Sequence, residues 1–310
     1  MEIDIILRTT IPLSLLIGLG FLSKKAGFLR HGDERVLSAY IYYFALPALF
    51  IVDLSGIRFA EDNIKFIAAG ILPIIIILTV FIMLYFIIRF SRNTLYLLIL
   101  STVFGSFVFF GIPFVVFAFP AEGELLATLS SSTISMLGVT ISITTLELYK
   151  MGEAPIVKGL KATLLKLSRN PLILSILTGL SLSLANVRIP DFISIPLHML
   201  GSTTVTVAVF MLGAFLHGRK YANLFGAFKL SLTRIIILPL LATFVASILD
   251  LPKIQTAVLV IMHGVPLAVS MMVLSERYGF QEDTIASLIL IESLGAGIYL
   301  NIWLLILGLI

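Results

Sequence analysis

The chain has 310 residues, of which 59% are hydrophobic and only 12% are charged. A soluble globular chain carries roughly a quarter charged residues, so this composition indicates a membrane protein and leaves no room for a separate soluble domain. The absence of cysteine excludes disulfides, thiolate nucleophiles and cysteine-ligated metals. The net charge of +4 does not indicate nucleic-acid binding, because the basic residues stand in short loops between apolar segments.

Apolar segments of about 20 residues recur along the chain and predict ten membrane-spanning helices. In chain order they are 5–23, 36–54, 66–88, 94–119, 125–148, 171–187, 192–216, 224–249, 254–275 and 284–308. The first segment follows acidic Glu2 and Asp4, so we interpret it as a permanent span and not as a cleavable signal. The connecting loop 149–170 separates a first five-helix repeat, 1–148, from a second, 171–310.

The basic residues of the loops are distributed unequally between the two sides of the membrane. Fourteen fall on one side and four on the other. The positive-inside rule makes the richer side cytoplasmic. We therefore expect a multi-pass protein of the cell membrane with both termini outside the cytoplasm.

A Gly-x-Pro tripeptide interrupts the fourth and the ninth spans, as Gly111-Ile112-Pro113 and Gly264-Val265-Pro266. Further matches between the halves are Ile-Leu-Pro at 71–73 and 237–239, and Gly138 with Gly295. Because each half has an odd number of spans, the second copy enters the membrane from the opposite side. The pattern predicts an all-α, five-plus-five inverted repeat with broken fourth and ninth helices.

The two breaks are the predicted substrate site. If a new helix begins just after each glycine, two positive helix N-termini face one central region and favour an anion. The alternative is a pair of proline kinks that only shape packing. Nearby polar residues are Ser106, His263 and Ser270. His263 is either a proton carrier or substrate donor, or a neutral histidine bonded to a carbonyl.

Glu292 and Arg234 are the ionisable residues placed deepest in the predicted spans. They lie about eight and ten residues into the tenth and eighth spans, at depths of roughly 12 and 15 Å, so we expect them to meet. In one interpretation Glu292 is an H⁺ or Na⁺ site, with Arg234 as counter-charge or carboxylate ligand. In the other they form a static ion pair between two helices.

Short motifs in the expected order along the whole chain resemble the auxin efflux carrier family, which includes the plant PIN-type exporters. They are Gly20 with Lys25-Ala26-Gly27-Phe28-Leu29, Ala45-Leu46-Pro47-Ala48-Leu49-Phe50, Asn170-Pro171 with Gly179, Leu212-Gly213, Pro266-Leu267-Ala268 and Tyr278-Gly279. The resemblance implies the fold shared with bile-acid sodium symporters. Helices one, two, six and seven would form a scaffold domain, and helices three to five and eight to ten a transport domain.

The resemblance further implies that the fourth and ninth helices cross at Pro113 and Pro266, with substrate beside the crossing and elevator-type movement. The chain departs from the family pattern at four positions: Ser106 (commonly Asn), Val108 (Gly), Thr206 (Pro) and Glu292 (Ser). These departures indicate a substrate site unlike that of plant auxin exporters, and a buried Glu292 favours ion coupling.

We therefore expect a secondary active transporter of a small organic anion, auxin-like or a mono- or dicarboxylate, with H⁺ or Na⁺ as coupling ion and no other cofactor. The expected substrate-binding residues are Ser106, Gly111, Pro113, His263, Gly264, Pro266 and Ser270, with Glu292 and Arg234 as ion-coupling residues or charge pair and Na⁺ near Glu292. The other expected partner is the lipid bilayer, and the resemblance is compatible with a homodimer through the scaffold. The alternatives are a non-transporting receptor or regulator with this fold, and an intramembrane enzyme, for which no catalytic set is recognisable.

Overall fold

The computed structural model describes residues 2–309, with the exception of 31, 57–60, 152–167, 170, 219–220 and 222. Every regular element in the described part is a helix, and one isolated antiparallel bridge joins Gly105 to Leu267. Most of the predicted connecting loop 149–170 lies outside the described residues. The predicted all-α class is therefore confirmed for the part of the chain that the structure describes.

Twelve helices follow one another in the described residues. They are α1 (Glu2–Lys25), α2 (Asp33–Tyr40, continued by the π turn Ile41–Ala45 and by Leu46–Ser55), α3 (Glu61–Ile88), α4 (Arg92–Val103), α5 (the π turn Phe107–Gly111, then Ile112–Ala118), α6 (Gly123–Met151), α7 (Pro171–Leu184), α8 (Asp191–Leu216), α9 (Leu224–Leu232, the π turn Thr233–Ile237, then Leu238–Ile248), α10 (Lys253–Gly264), α11 (Ser270–Tyr278) and α12 (Glu282–Ile306).

Six helical stretches in the described residues are long and apolar enough to cross a membrane. They are Arg35–Ser55, Asn63–Ile88, Gly123–Lys150, Asp191–Leu216, Leu224–Ile248 and Glu282–Ile306. Two shorter apolar helices are Phe107–Ala118 and Pro171–Leu184. The other predicted spans fall on α1 and on two interrupted pairs, α4–α5 and α10–α11. The chain is thus a multi-pass helical membrane protein.

One group of helices consists of α1, α2, α7 and α8, which pack tightly on one another. Glycines allow this approach: a Cβ at Gly20 would overlap the carbonyl of Phe210, and a Cβ at Gly213 would overlap the carbonyl of Ile17. Small residues at such contacts are the usual means of bringing helix backbones together in lipid. We call these four helices the outer group.

The remaining helices form a second group around α10, in which every side chain from Ala257 to His263 is buried. Here α9 packs on α3, α10 and α12, while α6 packs on α3, α4, α5 and α10. The second group touches the outer group mainly through α5 and α6. We call α3–α6 and α9–α12 the inner group.

Three helices contain a π turn, and in each the turn is followed two residues later by a proline: Pro47, Pro113 and Pro239. Proline has no N–H and its ring collides with the carbonyl four residues earlier, so the preceding turn widens. At Pro239 that carbonyl belongs to Ile235, and it accepts the indole N–H of Trp303 at 2.8 Å. The widened turns therefore redirect the chain without breaking the helix.

Candidate functional site

The two interrupted pairs meet at their breaks. Helix α4 ends at Val103 and α5 begins at Phe107, while α10 ends at Gly264 and α11 begins at Ser270. The N–H of Ser106 donates to the carbonyl of Pro266 at 2.7 Å, and the N–H of Ala268 donates to the carbonyl of Phe104 at 2.9 Å. Each break thus satisfies backbone groups freed by the other, as apolar surroundings require. We call residues 104–106 and 265–269 the crossover.

The prediction that the first break follows Gly111 is wrong. The interruption lies upstream, at residues 104–106, and Gly111 ends the π turn of α5 with Pro113 in the next helical turn. The N–H groups of Phe110 and Gly111 already donate to the carbonyl of Ser106, at 2.9 and 3.0 Å. The widened turn accommodates Pro113, so this proline does not need a break.

In the second interrupted pair the tripeptide does mark the break, because Gly264 is the last residue of α10 and Pro266 lies within the gap. The two Gly-x-Pro tripeptides are therefore not placed alike. Gly111 still belongs to the site, since its backbone packs closely on α10: a Cβ there would lie 2.6 Å from the sulfur of Met262 and 3.1 Å from Val265.

Arg234 lies in the π turn of α9 and is buried, with 1% of its surface exposed. Its Nε donates to the carbonyl of Val265, and its Nη1 donates to the carbonyls of Ser101, at 3.2 Å, and Thr102. These carbonyls end α10 and α4, where unpaired acceptors and the negative helix pole concentrate. The ring of Phe107 lies 5.5 Å from the guanidinium carbon, which adds a cation–π contact.

Glu292 is fully buried on α12, and its Oε2 accepts the N–H of Leu267 at 2.6 Å. The other oxygen, Oε1, is buried without a hydrogen-bond partner in the described residues, as is Nη2 of Arg234. In the described residues the expected charge pair is thus not joined by a direct hydrogen bond. The two side chains bind the backbone on either side of Pro266, and their opposite charges attract across it.

His263 is buried at the end of α10 and hydrogen-bonds to the backbone of Gly70 in α3, while its Nε2 has no partner in the described residues. Ser106 is buried within the crossover, and Ser270 opens α11 half-buried. Gly264 packs closely on α12 and α9, since a Cβ there would lie 2.9 Å from Leu300.

Two residues at the crossover were not singled out from the sequence. Gly105 forms the bridge itself, and a Cβ there would overlap Nη2 of Arg234. Tyr299 is buried, its hydroxyl has no partner in the described residues, and it interacts electrostatically with Glu292 and Arg234. Its position seven residues after Glu292 places both on one helix face, a spacing that could have identified it.

A cavity of about 900 Å³ lies between the two helix groups, away from the crossover. It is lined by Asp53 on α2, His198 on α8, Glu122 and Glu124 before and in α6, and Lys253 on α10. The carboxylate of Asp53 accepts the hydroxyl of Thr128 at 2.9 Å, which links the outer and inner groups. No crossover residue lines this cavity.

Apolar helices of spanning length, two interrupted helices that meet at their breaks and buried ionisable groups on those breaks together define a polytopic membrane protein of the transporter type. The chain belongs to the membrane transport protein family, whose model matches residues 5–304. This match confirms the resemblance to the auxin efflux carriers. The chain is also 25% identical to the "Uncharacterized transporter MJ1031" of Methanocaldococcus jannaschii, over 93% of this chain and 94% of the relative.

Proposed function

We propose that the protein is a secondary active transporter of a small organic anion, auxin-like or a mono- or dicarboxylate. The observation that carries the proposal is the crossover, where two interrupted helices pair with each other and hold Arg234 and Glu292 between them. Substrate would bind beside it, contacting Ser106, Gly111, His263, Gly264, Pro266 and Ser270, with Pro113 one turn away. The nearby N-termini of α5 and α11 favour a negatively charged ligand.

The proposed architecture has ten spans in two inverted five-helix repeats, with α4–α5 and α10–α11 as the fourth and ninth. The outer group would be the scaffold and the inner group the transport domain of an elevator. Two observations support this division. The close contacts of Gly20 and Gly213 bring α1 and α8 together within the outer group, and the cited hydrogen bonds of the crossover lie within the inner group.

The proposed setting is the cell membrane, with both termini outside the cytoplasm and a homodimer formed through the outer group. The coupling ion is H⁺ or Na⁺, with Glu292 as its candidate carrier, because a buried carboxylate oxygen without a partner can take up a cation. Labelling of tags at each terminus in intact cells would test the orientation.

Flux measurements in proteoliposomes test the transport function. Radiolabelled mono- and dicarboxylates are offered to vesicles that contain folded protein, with imposed H⁺ or Na⁺ gradients and with protein-free vesicles as control. We expect accumulation of at least one carboxylate. Binding of a carboxylate without any flux would overturn the proposal in favour of a receptor, and absence of both would remove the anion as ligand.

A further inference from the structure

The guanidinium of Arg234 sits in surroundings that suit a small dehydrated cation. Three main-chain carbonyls surround it, those of Ser101, Thr102 and Val265, drawn from the ends of two interrupted helices. Carbonyls at such unwound ends are the ligands with which broken helices bind monovalent cations. Carbonyl oxygens of this kind bind a cation through their dipoles, so the cation does not need a carboxylate among its ligands.

The remaining sides of the guanidinium are closed by protein. The ring of Phe107 covers one side, and Gly105 lies so close to Nη2 that no Cβ would fit between them. The side chain is 1% exposed, and its Nε and Nη1 are bonded to carbonyls. The site is therefore filled by the protein's own cation.

We propose that Arg234 is a tethered cation that permanently occupies the place where a coupling Na⁺ would otherwise bind, so that the crossover takes up no Na⁺ during transport. The inference deepens the proposed function, on which it rests for the transport step, by removing Na⁺ from the two candidate coupling ions and leaving H⁺. A guanidinium stays charged at any physiological pH and is held by the chain, so it cannot dissociate between steps.

The crossover already contains a counter-charge for the guanidinium whenever Glu292 is ionised. One guanidinium faces one carboxylate, Glu292, and both bind the same short backbone segment around Pro266. A Na⁺ among the same carbonyls would place two like charges a few ångströms apart in a medium of low dielectric constant, where their repulsion is strong. The site can hold Arg234 or a free cation, but not both.

Permanent occupancy has a consequence for the transport cycle. An elevator-type transporter that is coupled to Na⁺ must bind and release the ion in every cycle. Its transport domain returns empty only after both the substrate and Na⁺ have left. A protein-supplied cation travels with the inner group in both directions. Transport is then driven by the substrate gradient, the membrane potential or H⁺, and not by Na⁺.

Thermal stability of the purified protein tests the tethered cation without any substrate. Tm is measured for wild type and for Arg234→Ala in NaCl, in choline chloride and in methylguanidinium chloride at equal ionic strength. We expect the wild-type Tm to be the same in NaCl and choline chloride. The variant Tm should be lower and should rise saturably, by several degrees, with methylguanidinium or Na⁺, because a ligand of the folded state stabilises it.

Two further variants control this measurement. Lys229→Ala removes a positive charge near the start of the same helix, where the side chain lies over Phe225, and it should show no saturable response to either cation. Arg234→Lys keeps a cation among the carbonyls and should stay insensitive to Na⁺. If Arg234→Ala does not fold, the wild type and Arg234→Lys decide the question.

The inference is overturned if Na⁺ raises the wild-type or Arg234→Lys Tm saturably, or if folded Arg234→Ala responds to neither cation. These outcomes are independent of flux, so a failure to transport carboxylates would remove the proposed function and leave the Tm result standing. If flux is found, replacing Na⁺ by choline should leave the wild-type rate unchanged. A rate that falls on this replacement would contradict the tethered cation.

Discussion

Gly105 lies between the guanidinium of Arg234 and the ring of Phe107. A Cβ at this position would overlap Nη2 and lie 2.7 Å from two ring carbons of Phe107. Neither neighbour can retreat easily, because Arg234 is bonded to carbonyls of both broken helices and Phe107 is buried. The absence of a side chain at Gly105 thus permits the contact between the cation and the crossover.

We predict that Gly105→Ala destabilises the protein by about 1–3 kcal/mol, since an added methyl in a filled core forces its neighbours apart. The matched control is Gly295→Ala in α12, where a Cβ would meet only Tyr299 of the same helix at ordinary contact distances of 3.4 and 3.5 Å. Tm in detergent is the measurement. Equal Tm values for the two variants would show that Arg234 is not packed against Gly105.

Arg234 and Glu292 should show strong energetic coupling although they are not directly hydrogen-bonded. Removing one charge leaves the other buried and uncompensated, which costs about 3–5 kcal/mol. We predict that Arg234→Gln with Glu292→Gln is less destabilising than the sum of the two single changes, by about 0.5–3 kcal/mol. A double-variant cycle on Tm measures this coupling, and strictly additive effects would refute it.

At the scale of the helix, a proline that follows a π turn differs from a proline that lies in a gap between helices. Pro47, Pro113 and Pro239 each follow a π turn that keeps the helix continuous, whereas Pro266 lies in a gap between helices. The difference has a backbone cause. The carbonyl of Pro266 is bonded to the N–H of Ser106 in the partner break, and the residues on both sides of it are held by Arg234 and Glu292.

Pro266→Ala should therefore impair transport more than Pro113→Ala. Alanine at 266 supplies an N–H and favours extension of α10 into the gap. We predict a loss of about tenfold in transport rate, equivalent to ~1.4 kcal/mol, for Pro266→Ala, with Pro113→Ala nearer to wild type. Initial flux rates, normalised to folded protein, measure the difference. Equal losses in the two variants would restore the idea that the tripeptides act alike.

The close contact between α1 and α8 makes a second prediction at this scale. Gly20→Ala should cost about 1–3 kcal/mol, because its Cβ would collide with the backbone of Phe210. Gly18→Ala on the same helix has nothing within 4 Å and should leave Tm unchanged or slightly higher, as alanine favours helix. Similar losses in both variants would show that the helices do not touch at Gly20.

The lengths of the apolar segments predicted the all-α class, and six of the ten segments coincide with described helices long enough to cross a bilayer. They did not locate the first break, since proline marks both widened turns and true gaps. The hydrogen bonds from Arg234 to the carbonyls of Ser101 and Thr102 also could not be predicted from the sequence. These bonds join residues more than 130 positions apart in the chain. Every residue has a backbone carbonyl, so residue types do not show which carbonyls bind the arginine.

In the whole molecule, a polar contact between the outer and inner groups is the hydrogen bond from the hydroxyl of Thr128 to the carboxylate of Asp53. This bond joins α6 to α2 beside the 900 Å³ cavity between the groups. Relative movement of the groups must break it. Contacts within each group are far more extensive than those between the groups, which favours the proposed movement of each group as one unit.

We predict that crosslinking Asp53→Cys to Thr128→Cys with a short bis-methanethiosulfonate reagent, which forms a disulfide with each cysteine, stops transport, and that reduction restores it. The natural chain has no cysteine, so the reagent acts only at the introduced pair. The controls are the single variants Asp53→Cys and Thr128→Cys treated with the same reagent, which cannot link the two helix groups and should keep their flux. Full flux in the crosslinked pair would exclude movement of one group against the other.

The contact between Gly105 and Arg234 also constrains how this site can diverge. A larger residue can be accommodated at position 105 only after the arginine at position 234 has been replaced. Conversely, an arginine can be accommodated at position 234 only where position 105 is already glycine. Relatives that keep arginine at the position of Arg234 should therefore keep glycine at the position of Gly105. Those that have lost it are expected to vary at both positions together, and it is among them that dependence on an external cation should reappear.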